Sequence, residues 1–200
     1  AHLKRRIYFC PMGEMLQFPQ EEPDFSVALS TSLVVFGFDG MDLKILLARS
    51  TRPPFEGALF LPSRYLKAGE ELLLSAKKMF SDLFGYDNPS TVEQLRAFGQ
   101  VFRHPGGRVV NIAHYALVHT DDFKTEKWEQ HGMHWVSVSE IPDLAFDHND
   151  IADYARERLK RRVRRRPVGF DLLPKEFTLG QLQNLYEKAM RKSFDKRNFR

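Results

Sequence analysis

The sequence predicts an α/β fold followed by a small helical module. In residues 26–148, strand-like runs lie on both sides of one amphipathic helical segment. A very basic helical segment covers 149–165, and a third helical pattern begins after Thr178. The chain has 200 residues, of which 42% are hydrophobic and 12% aromatic, so it can bury a sizeable core.

Two hairpins and a helix are expected in the α/β part. The runs SVALSTSLVVFGFD (26–39) and LKILLARS (43–50) flank a Gly-Met-Asp turn, and ALFLPSRYL adds one or two short strands around Pro62. Apolar residues at 72, 73, 76, 79, 80 and 83 then predict a helix over 70–84, with Gly85 as its C-cap.

The second hairpin joins TVEQLRAFGQVFRHP (91–105) to RVVNIAHYALVHT (108–120) through a Pro-Gly-Gly turn. HWVSV (134–138) predicts a further strand, and the segment 139–142 is typical of the start of a short helix.

The C-terminal region has the pattern of a helix–turn–helix. Pro167 and Gly169 interrupt the chain, and Thr178 is the expected N-cap of a helix. Asp195 begins the next helix after a short turn. The residues expected on the buried side of the first helix are Leu179, Leu182, Leu185, Tyr186 and Ala189. The expected organisation is an N-terminal arm (1–25), an α/β domain (26–148), a basic connecting helix (149–168) and a helix–turn–helix module (169–200).

Positive charge is concentrated at the C-terminal end. Residues 151–200 contain 15 Lys and Arg against 6 Asp and Glu, whereas the first 150 residues contain 15 against 20. This asymmetry indicates an acidic body that carries a module for a polyanion, most simply nucleic acid. The lone cysteine excludes an intrachain disulfide, and no apolar run approaches 18 residues. We therefore expect a cytoplasmic protein without a membrane partner.

The segment LPSRYLKAGEELLLSAKKMFSDLFGYD (61–87) resembles a Nudix box, G-x5-E-x7-R-E-U-x-E-E-x-G-U, where U is a bulky aliphatic residue. Leu61-Pro62, Glu70 and Gly85 match the family pattern, and Lys78 stands for its arginine. The resemblance implies a Nudix-like α/β/α sandwich with a mixed sheet. It also suggests that Glu70 pairs with Lys78, as the first glutamate and the arginine do in the family.

The residues that hold Mg²⁺ in that family are mostly missing. Met79 stands where the first metal-binding glutamate belongs, and Asp82-Leu83 replace the Glu-Glu pair. A single carboxylate cannot supply the oxygen shell that Mg²⁺ requires. We therefore expect no metal, no cofactor, no catalytic residue and no hydrolase activity.

Nearly the whole chain resembles the bacterial Nudix-related transcriptional regulators, of the NrtR-like or arabinose-regulator-like type. The resemblance rests on AFGQVFRHPGGRVVNIAHYAL, LAFDH and, above all, VGFDLLPKEFTLGQLQNLYEKAMRKSFDKRNFR. It implies a regulator that binds double-stranded DNA through a C-terminal winged helix. We expect a homodimer, because operators are often palindromic. It also implies a small-molecule effector, a sugar or a nucleotide sugar such as ADP-ribose. The winged helix is expected to be incomplete in this chain, because a β-hairpin wing should follow the second helix.

Two groups of site residues are expected. Arg49, Arg64, Arg103 and Arg108 are candidates for effector binding, since arginine suits phosphate and sugar hydroxyl groups, although each is also interpretable as a surface charge. The candidates for DNA contact are Thr178, Gln181, Lys196, Arg197, Asn198 and Arg200. The basic run RLKRRVRRR (158–166) is either a solvated helix face or a phosphate-contacting one.

Two other functions stay open. One is a Nudix hydrolase of nucleoside-diphosphate derivatives that takes its carboxylates from elsewhere in the chain. The other is a nucleotide-binding module without DNA activity, in which the basic tail is inert.

Overall fold

Seven strands form one mixed sheet with helices on both faces. The computed structural model describes residues 26–85, 92–118, 128–129, 132–165, 172–174 and 176–195. Within them the strands are β1 (Ala28–Phe38), β2 (Leu43–Arg49), β3 (Leu59–Phe60), β4 (Ser63–Tyr65), β5 (Glu93–Phe98), β6 (Val109–Val118) and β7 (Met133–Ser137). Three helices have their bounds in the described residues, α1 (Leu72–Phe84), α2 (His148–Arg165) and α3 (Leu179–Met190), and residues 128–129 are also helical.

Strand β1 is the centre of the sheet. The main strand order is β3-β2-β1-β6-β5, with β4 beside β1 and β7 beside β2. β1 pairs in parallel with β6 from Ala28–Val109 to Gly37–Val118, and antiparallel with β2 and β4. Its residues from Ser30 to Phe38 are buried, as expected for a strand covered on both faces.

The two faces of the sheet hold separate cores. On one face, α1 packs through Ala76, Met79 and Phe80 against Leu33 and Leu46. On the other face, α2 packs through a row of residues spaced four apart, among them Ala155, Leu159 and Val163, against Phe36 and Tyr115. Ser30, Ser32 and Asn111 also lie on this second face, which α2 and α3 both cover.

Helix α3 belongs to the same core as the sheet. Leu185 and Ala189 are buried in the cluster that contains Phe38 and Leu43. At its edge, Lys188 Nζ lies 3.1 Å from Asp42 Oδ1. The β1–β2 turn comes so close that a Cβ on Gly40, whose φ is +89°, would lie 3.2 Å from the side-chain amide nitrogen of Gln181. The turn therefore needs glycine for its backbone, and the nearby Gln181 side chain would have to shift slightly to admit a Cβ.

Most of the expected elements are confirmed, including both hairpins, the helix that ends at Gly85 and the strand at 133–137. The short helix expected at 139–142 is wrong. Residues 138–140 instead form a turn, closed by a hydrogen bond from Glu140 N–H to Ser137 O (2.9 Å). The Asn149 side chain fixes the residues that follow, since it accepts from Leu144 N–H (2.7 Å) and donates to Pro142 O (3.0 Å). The helix begins only at His148.

Two side-chain expectations also change. Leu179 is 51% exposed rather than buried, because the inner side of α3 begins at Leu182. Strand β5 stops at Phe98, and the next residues form a loop in which Phe102 is 96% exposed. The expected break at Pro167 and Gly169 and the second helix of the helix–turn–helix lie outside the described residues. Among the helices of the described ranges, none is both long and apolar enough to cross a membrane.

Candidate functional site

A cavity of about 170 Å³ opens on the α2 face of the sheet. It lies where β1, β4 and β6 meet the β5–β6 loop and the first residue of α2. The residues that line it are Ser30, Phe60, Ser63, Arg64, Tyr65, Arg103, His104, Val109, Asn111, Phe146 and His148. A cavity of ~150 Å³ accommodates a benzene ring, so this one has room for a single ring-sized group.

Aromatic rings form one wall of the cavity. The Phe146 ring stacks on His104 with centroids 5.1 Å apart and an interplanar angle of 6°, and Phe55 packs on it at 4.5 Å. The backbone of Phe146 has φ +61°, a left-handed conformation that costs a bulky residue about 1–3 kcal/mol. Such strain is concentrated at ligand-binding positions, and here it places a flat ring beside the cavity.

His104 is held in one tautomer. Its Nδ1 accepts a hydrogen bond from Gly106 N–H at 3.0 Å, so the proton of the neutral ring is on Nε2. Nε2 lies 3.0 Å from the hydroxyl oxygen of Tyr65 and donates to it, which leaves the Tyr65 hydroxyl proton available. Burial and the adjacent Arg103 both lower the pKa of His104, so the ring is neutral at pH 7.

The floor of the cavity is a buried polar network around Asn111, which is 1% exposed. Ser63 Oγ donates to Leu61 O at 2.7 Å, so in the 2.8 Å contact between Ser32 and Ser63 the donor is Ser32. Ser32 Oγ must then accept from Asn111 Nδ2, which lies at 2.7 Å, and Ser30 Oγ also accepts from it at 3.0 Å. The Asn111 Oδ1 atom has no hydrogen-bond partner in the described structure. A buried acceptor without a partner costs about 1–3 kcal/mol, so this atom is a natural point for a ligand donor.

Two of the four predicted arginines line this cavity, and both carry a carboxylate partner. Arg103 donates from Nε to Asp147 Oδ2 (2.8 Å) and from Nη2 to Asp147 Oδ1 (2.5 Å). Arg64 forms an ion pair with Glu70. The expected pairing of Glu70 with Lys78 is therefore wrong, because Arg64 is the direct partner of Glu70. The Lys67 N–H and Arg64, with a smaller effect from Lys78, lower the pKa of Glu70.

The other two predicted arginines lie away from the cavity. Arg49 Nη1 donates to Gly57 O at 2.9 Å, and Arg108 Nη1 donates to Gly99 O (2.6 Å) and Gln100 O (3.1 Å). Both side chains hold loops. Their role in effector binding stays a prediction, whereas Arg64 and Arg103 are brought together at one cavity.

His148 joins the cavity to the loop that precedes helix α1. The ring is 3% exposed, and its Nδ1 accepts from Leu61 N–H at 3.0 Å. Burial lowers its pKa to about 4, against a smaller opposing effect of Asp147. A neutral imidazole therefore fixes the Leu61-Pro62 turn to the start of α2.

Two of the three helix positions that carry metal ligands in the Nudix family face the apolar core here. Met79 is 8% exposed and belongs to the apolar core between α1 and the sheet, and Leu83 packs against that core. Asp82 is exposed. Across the described residues, no three His, Cys, Asp or Glu side chains come together in a way that could hold a metal ion.

On the DNA side, the two predicted residues that the structure describes form a capping box. Thr178 Oγ1 accepts from Gln181 N–H at 3.2 Å, and Gln181 Oε1 accepts from Thr178 N–H at 2.8 Å. These two hydrogen bonds cap the N-terminus of helix α3. Lys196, Arg197, Asn198 and Arg200 lie outside the described residues, so their contact with DNA stays a prediction.

Comparison with known proteins identifies the family to which this arrangement is similar. Residues 169–200 match the model of the NrtR DNA-binding winged helix domain. The chain is 28% identical over 199 residues to the ADPR responsive transcriptional repressor NtrR of Acinetobacter baylyi. The alignment covers 98% of this chain and 79% of that protein. The chain is NrtR-like.

The solved structures show the same relationship for the fold. Shewanella oneidensis NrtR, in a crystal structure with a 27mer DNA, matches this NrtR-like chain with a TM-score of 0.74 and 26% identity. The match covers 86% of this chain and 80% of that one. A Nudix-like domain followed by a C-terminal winged-helix module is therefore confirmed. The chain is also 26% identical over 133 residues to an ADP-ribose pyrophosphatase from Methanocaldococcus jannaschii. That alignment covers 66% of this chain and 78% of that protein.

Sequence reasoning missed several cavity residues of this NrtR-like chain, namely Tyr65, His104, Asn111, Phe146 and His148. One signal was available, because Asn111 interrupts the apolar strand VVNIAHYALV and Ser30 to Ser32 interrupt β1. Polar residues in strands that are otherwise apolar indicate either a buried network or a site. The stacking of His104 on Phe146 had no such signal, since the two residues are 42 positions apart.

Proposed function

We propose that this NrtR-like chain is a transcriptional regulator. It binds operator DNA through its C-terminal winged helix and senses a small molecule, a sugar or a nucleotide sugar such as ADP-ribose, through its Nudix-like domain. The observation that carries this function is the combination of two matches. The C-terminal segment matches a DNA-binding domain model, and 98% of the chain aligns with a repressor that responds to ADPR.

The cavity on the α2 face is the site proposed for the effector. It offers the flat ring of Phe146, the Tyr65 hydroxyl, the Asn111 Oδ1 acceptor and the two arginines Arg64 and Arg103. These groups suit one ring together with the hydroxyl or phosphate groups attached to it. Since the cavity holds only one ring, the rest of a nucleotide sugar lies along its mouth, where Arg64 is partly exposed.

The regulator is proposed to be catalytically silent, cytoplasmic and homodimeric. Silence is supported by Met79 and Leu83, because apolar side chains occupy positions where Mg²⁺ ligands belong. The dimer follows from the two-fold symmetry that operator DNA commonly has. A Nudix hydrolase of nucleoside-diphosphate derivatives is the second candidate, and the similarity to an ADP-ribose pyrophosphatase favours it.

The experiment that tests the regulator is DNA binding measured with and without effector. Fluorescence anisotropy would follow full-length protein on duplexes recovered from a random-sequence library, at low salt, with ADP-ribose and with free sugars. An effector with a coupling free energy of 1–3 kcal/mol changes the affinity for DNA about 5- to 150-fold, and DNA changes the effector affinity by the same factor. If no duplex is bound at low salt, the chain is a nucleotide-binding module and the regulator proposal fails.

A further inference from the structure

The C-terminal half of helix α2 has more positive charge than its position in the fold requires. From Arg158 to Arg165, six of eight residues are Lys or Arg, and none is acidic. Cations stabilise the last turn of a helix through the macrodipole, but this effect fades beyond that turn and does not account for Arg158. Like charges three and four residues apart also repel, so the cluster opposes helix formation unless an anion neutralises it.

Two of these cations serve the fold. Lys160 Nζ lies 3.3 Å from Glu157 Oε1 within the helix. Arg162 reaches the sheet, where it forms an ion pair with Glu93 and donates to the Tyr115 hydroxyl oxygen at 2.5 Å. The Tyr115 hydroxyl in turn donates to Glu93 Oε2 at 3.0 Å. Arg162 therefore ties α2 to β5 and β6 and is not available to a polyanion.

Among the cations of 158–165 whose side chains the structure describes, three arginines remain exposed, and we call them the basic face: Arg158, Arg161 and Arg164. Arg161 uses only its Nε, which donates to Glu157 O at 3.2 Å. Arg158 and Arg164 have no carboxylate partner among the described residues. At 1.5 Å per residue, the three side chains follow one another along about 9 Å of the solvent side of α2. The opposite side of the helix is buried against the sheet.

The basic face lies next to the DNA-binding module. Helices α2 and α3 pack against each other, with Leu159 and Val163 of α2 in the same buried cluster as Leu185 of α3. Packed helices have axes about 8–10 Å apart, and α3 is part of the segment that matches the winged helix. The basic face therefore lies beside the segment that matches a DNA-binding domain, and its charge is complementary to a phosphate backbone.

We propose that the basic face binds the phosphate backbone of duplex DNA beside the segment held by the winged helix. This inference rests on the proposed function and adds to it a second, sequence-independent phosphate-binding surface. An anionic membrane is the less fitting partner, because an interfacial helix inserts its apolar side into lipid and the apolar side of α2 is already in the core.

A salt titration of DNA binding tests the proposal. The change is the triple substitution Arg158→Gln, Arg161→Gln and Arg164→Gln, which keeps long side chains with good helix propensity. Each lost phosphate contact should reduce the slope of log K against log salt by about 0.9, so the triple variant should lose up to about 2.7. The loss should be equal on a selected duplex and on its scrambled sequence, because phosphate contacts do not read bases.

Two further variants isolate the charge and its position. Replacing the same three residues by Lys should restore most of the slope, because phosphate contact needs a cation rather than a particular shape. The matched control removes three exposed cations of the Nudix-like domain, with Arg52→Gln, Lys67→Gln and Lys78→Gln. It changes the net charge by the same amount as the triple variant of the basic face, but it should leave the slope near that of the parent protein. Arg164→Gln alone should lower the slope by about 0.9, and it carries little risk to folding because the residue is exposed.

The outcomes separate this inference from the proposed function. If the parent protein binds no duplex at any salt, the regulator itself is wrong. If the parent binds DNA and the triple Gln variant binds with an unchanged slope, the winged helix acts alone and the basic face is only a solvated surface. Binding to vesicles with 30% phosphatidylserine that is lost in the triple variant, with DNA binding unchanged, would instead assign the basic face to membranes.

Discussion

Arg103 and Asp147 form a buried ion pair with two parallel hydrogen bonds, and their side chains are only 2% and 9% exposed. The pair joins the β5–β6 loop to the turn before α2, so it fixes two walls of the cavity relative to each other. Because both charges are desolvated, each depends on the other far more than a surface pair does.

Arg103→Ala should destabilise the protein by about 3–5 kcal/mol, because it leaves the Asp147 carboxylate buried without its partner. Chemical denaturation gives the free energy of unfolding. The matched control is Arg108→Ala, which removes an arginine of the same loop that bonds only backbone carbonyls and should cost about 1 kcal/mol. Equal losses for the two variants would contradict the role of the buried pair.

Asn111→Ala should weaken effector binding, because it removes the unpartnered Oδ1 acceptor from the floor of the cavity. A lost hydrogen bond of about 1–1.5 kcal/mol corresponds to roughly tenfold in affinity for ADP-ribose, measured as the ligand-induced rise in melting temperature. Thr31→Val is the control, since Thr31 is also fully buried but lies on the α1 face. A variant at Asn111 that keeps the full ligand-induced rise would place the effector elsewhere.

Stability should fall as the pH is lowered from 6.5 towards 4. The folded state holds the pKa of His148 at about 4, below its ordinary value near 6.5, so the unfolded chain binds a proton that the folded chain excludes. The contribution is complete above pH 6.5 and is lost as the pH approaches 4, with a limiting slope of about 1.4 kcal/mol per pH unit.

His148→Asn should flatten this dependence, because the amide oxygen of asparagine can accept the Leu61 N–H bond without titrating. The neighbouring His104 and the buried His114 also have lowered pKa values and remain in the variant. The difference between the two pH profiles of unfolding free energy therefore isolates His148. Parallel profiles would show that this histidine does not titrate between pH 4 and 6.5.

Helix α3 should be held to the sheet by apolar contacts rather than by its ion pair. Leu185→Ala, at a fully buried position, should cost about 2–5 kcal/mol. Lys188→Ala breaks a partly exposed pair with Asp42 and should cost less than about 1 kcal/mol. Denaturation monitored by circular dichroism compares the two, and a separate early transition for α3 would show that it is not part of the common core.

The purified protein with Mg²⁺ should not hydrolyse ADP-ribose. Met79 and Leu83 are packed into the core at positions that carry metal ligands in the Nudix family, and Asp82 alone cannot complete an oxygen shell. The release of AMP over several hours would be measured by chromatography. Sustained turnover that disappears in Asp82→Ala would establish the hydrolase as the correct function.

Much of the fold could be predicted from the sequence because it depends on short-range rules. The hairpin at 39–42, the left-handed cap at Gly85 and the N-cap at Thr178 each involve residues within a few positions of one another. The Nudix-like frame was also visible, since its residues fall at fixed spacings in 61–85. The absence of metal-binding carboxylates was equally a property of the sequence alone.

The tertiary structure decided which side chains meet. Arg162 looked like one more solvated cation, yet the packing of α2 brings it to Glu93, 69 residues away. The parallel register of β1 and β6 brings Asn111 to Ser30 and Ser32, across 81 and 79 positions. Partners at such distances depend on strand register and helix packing, which no local pattern encodes. The cavity exists for the same reason, because its walls come from segments that only the folded sheet brings together.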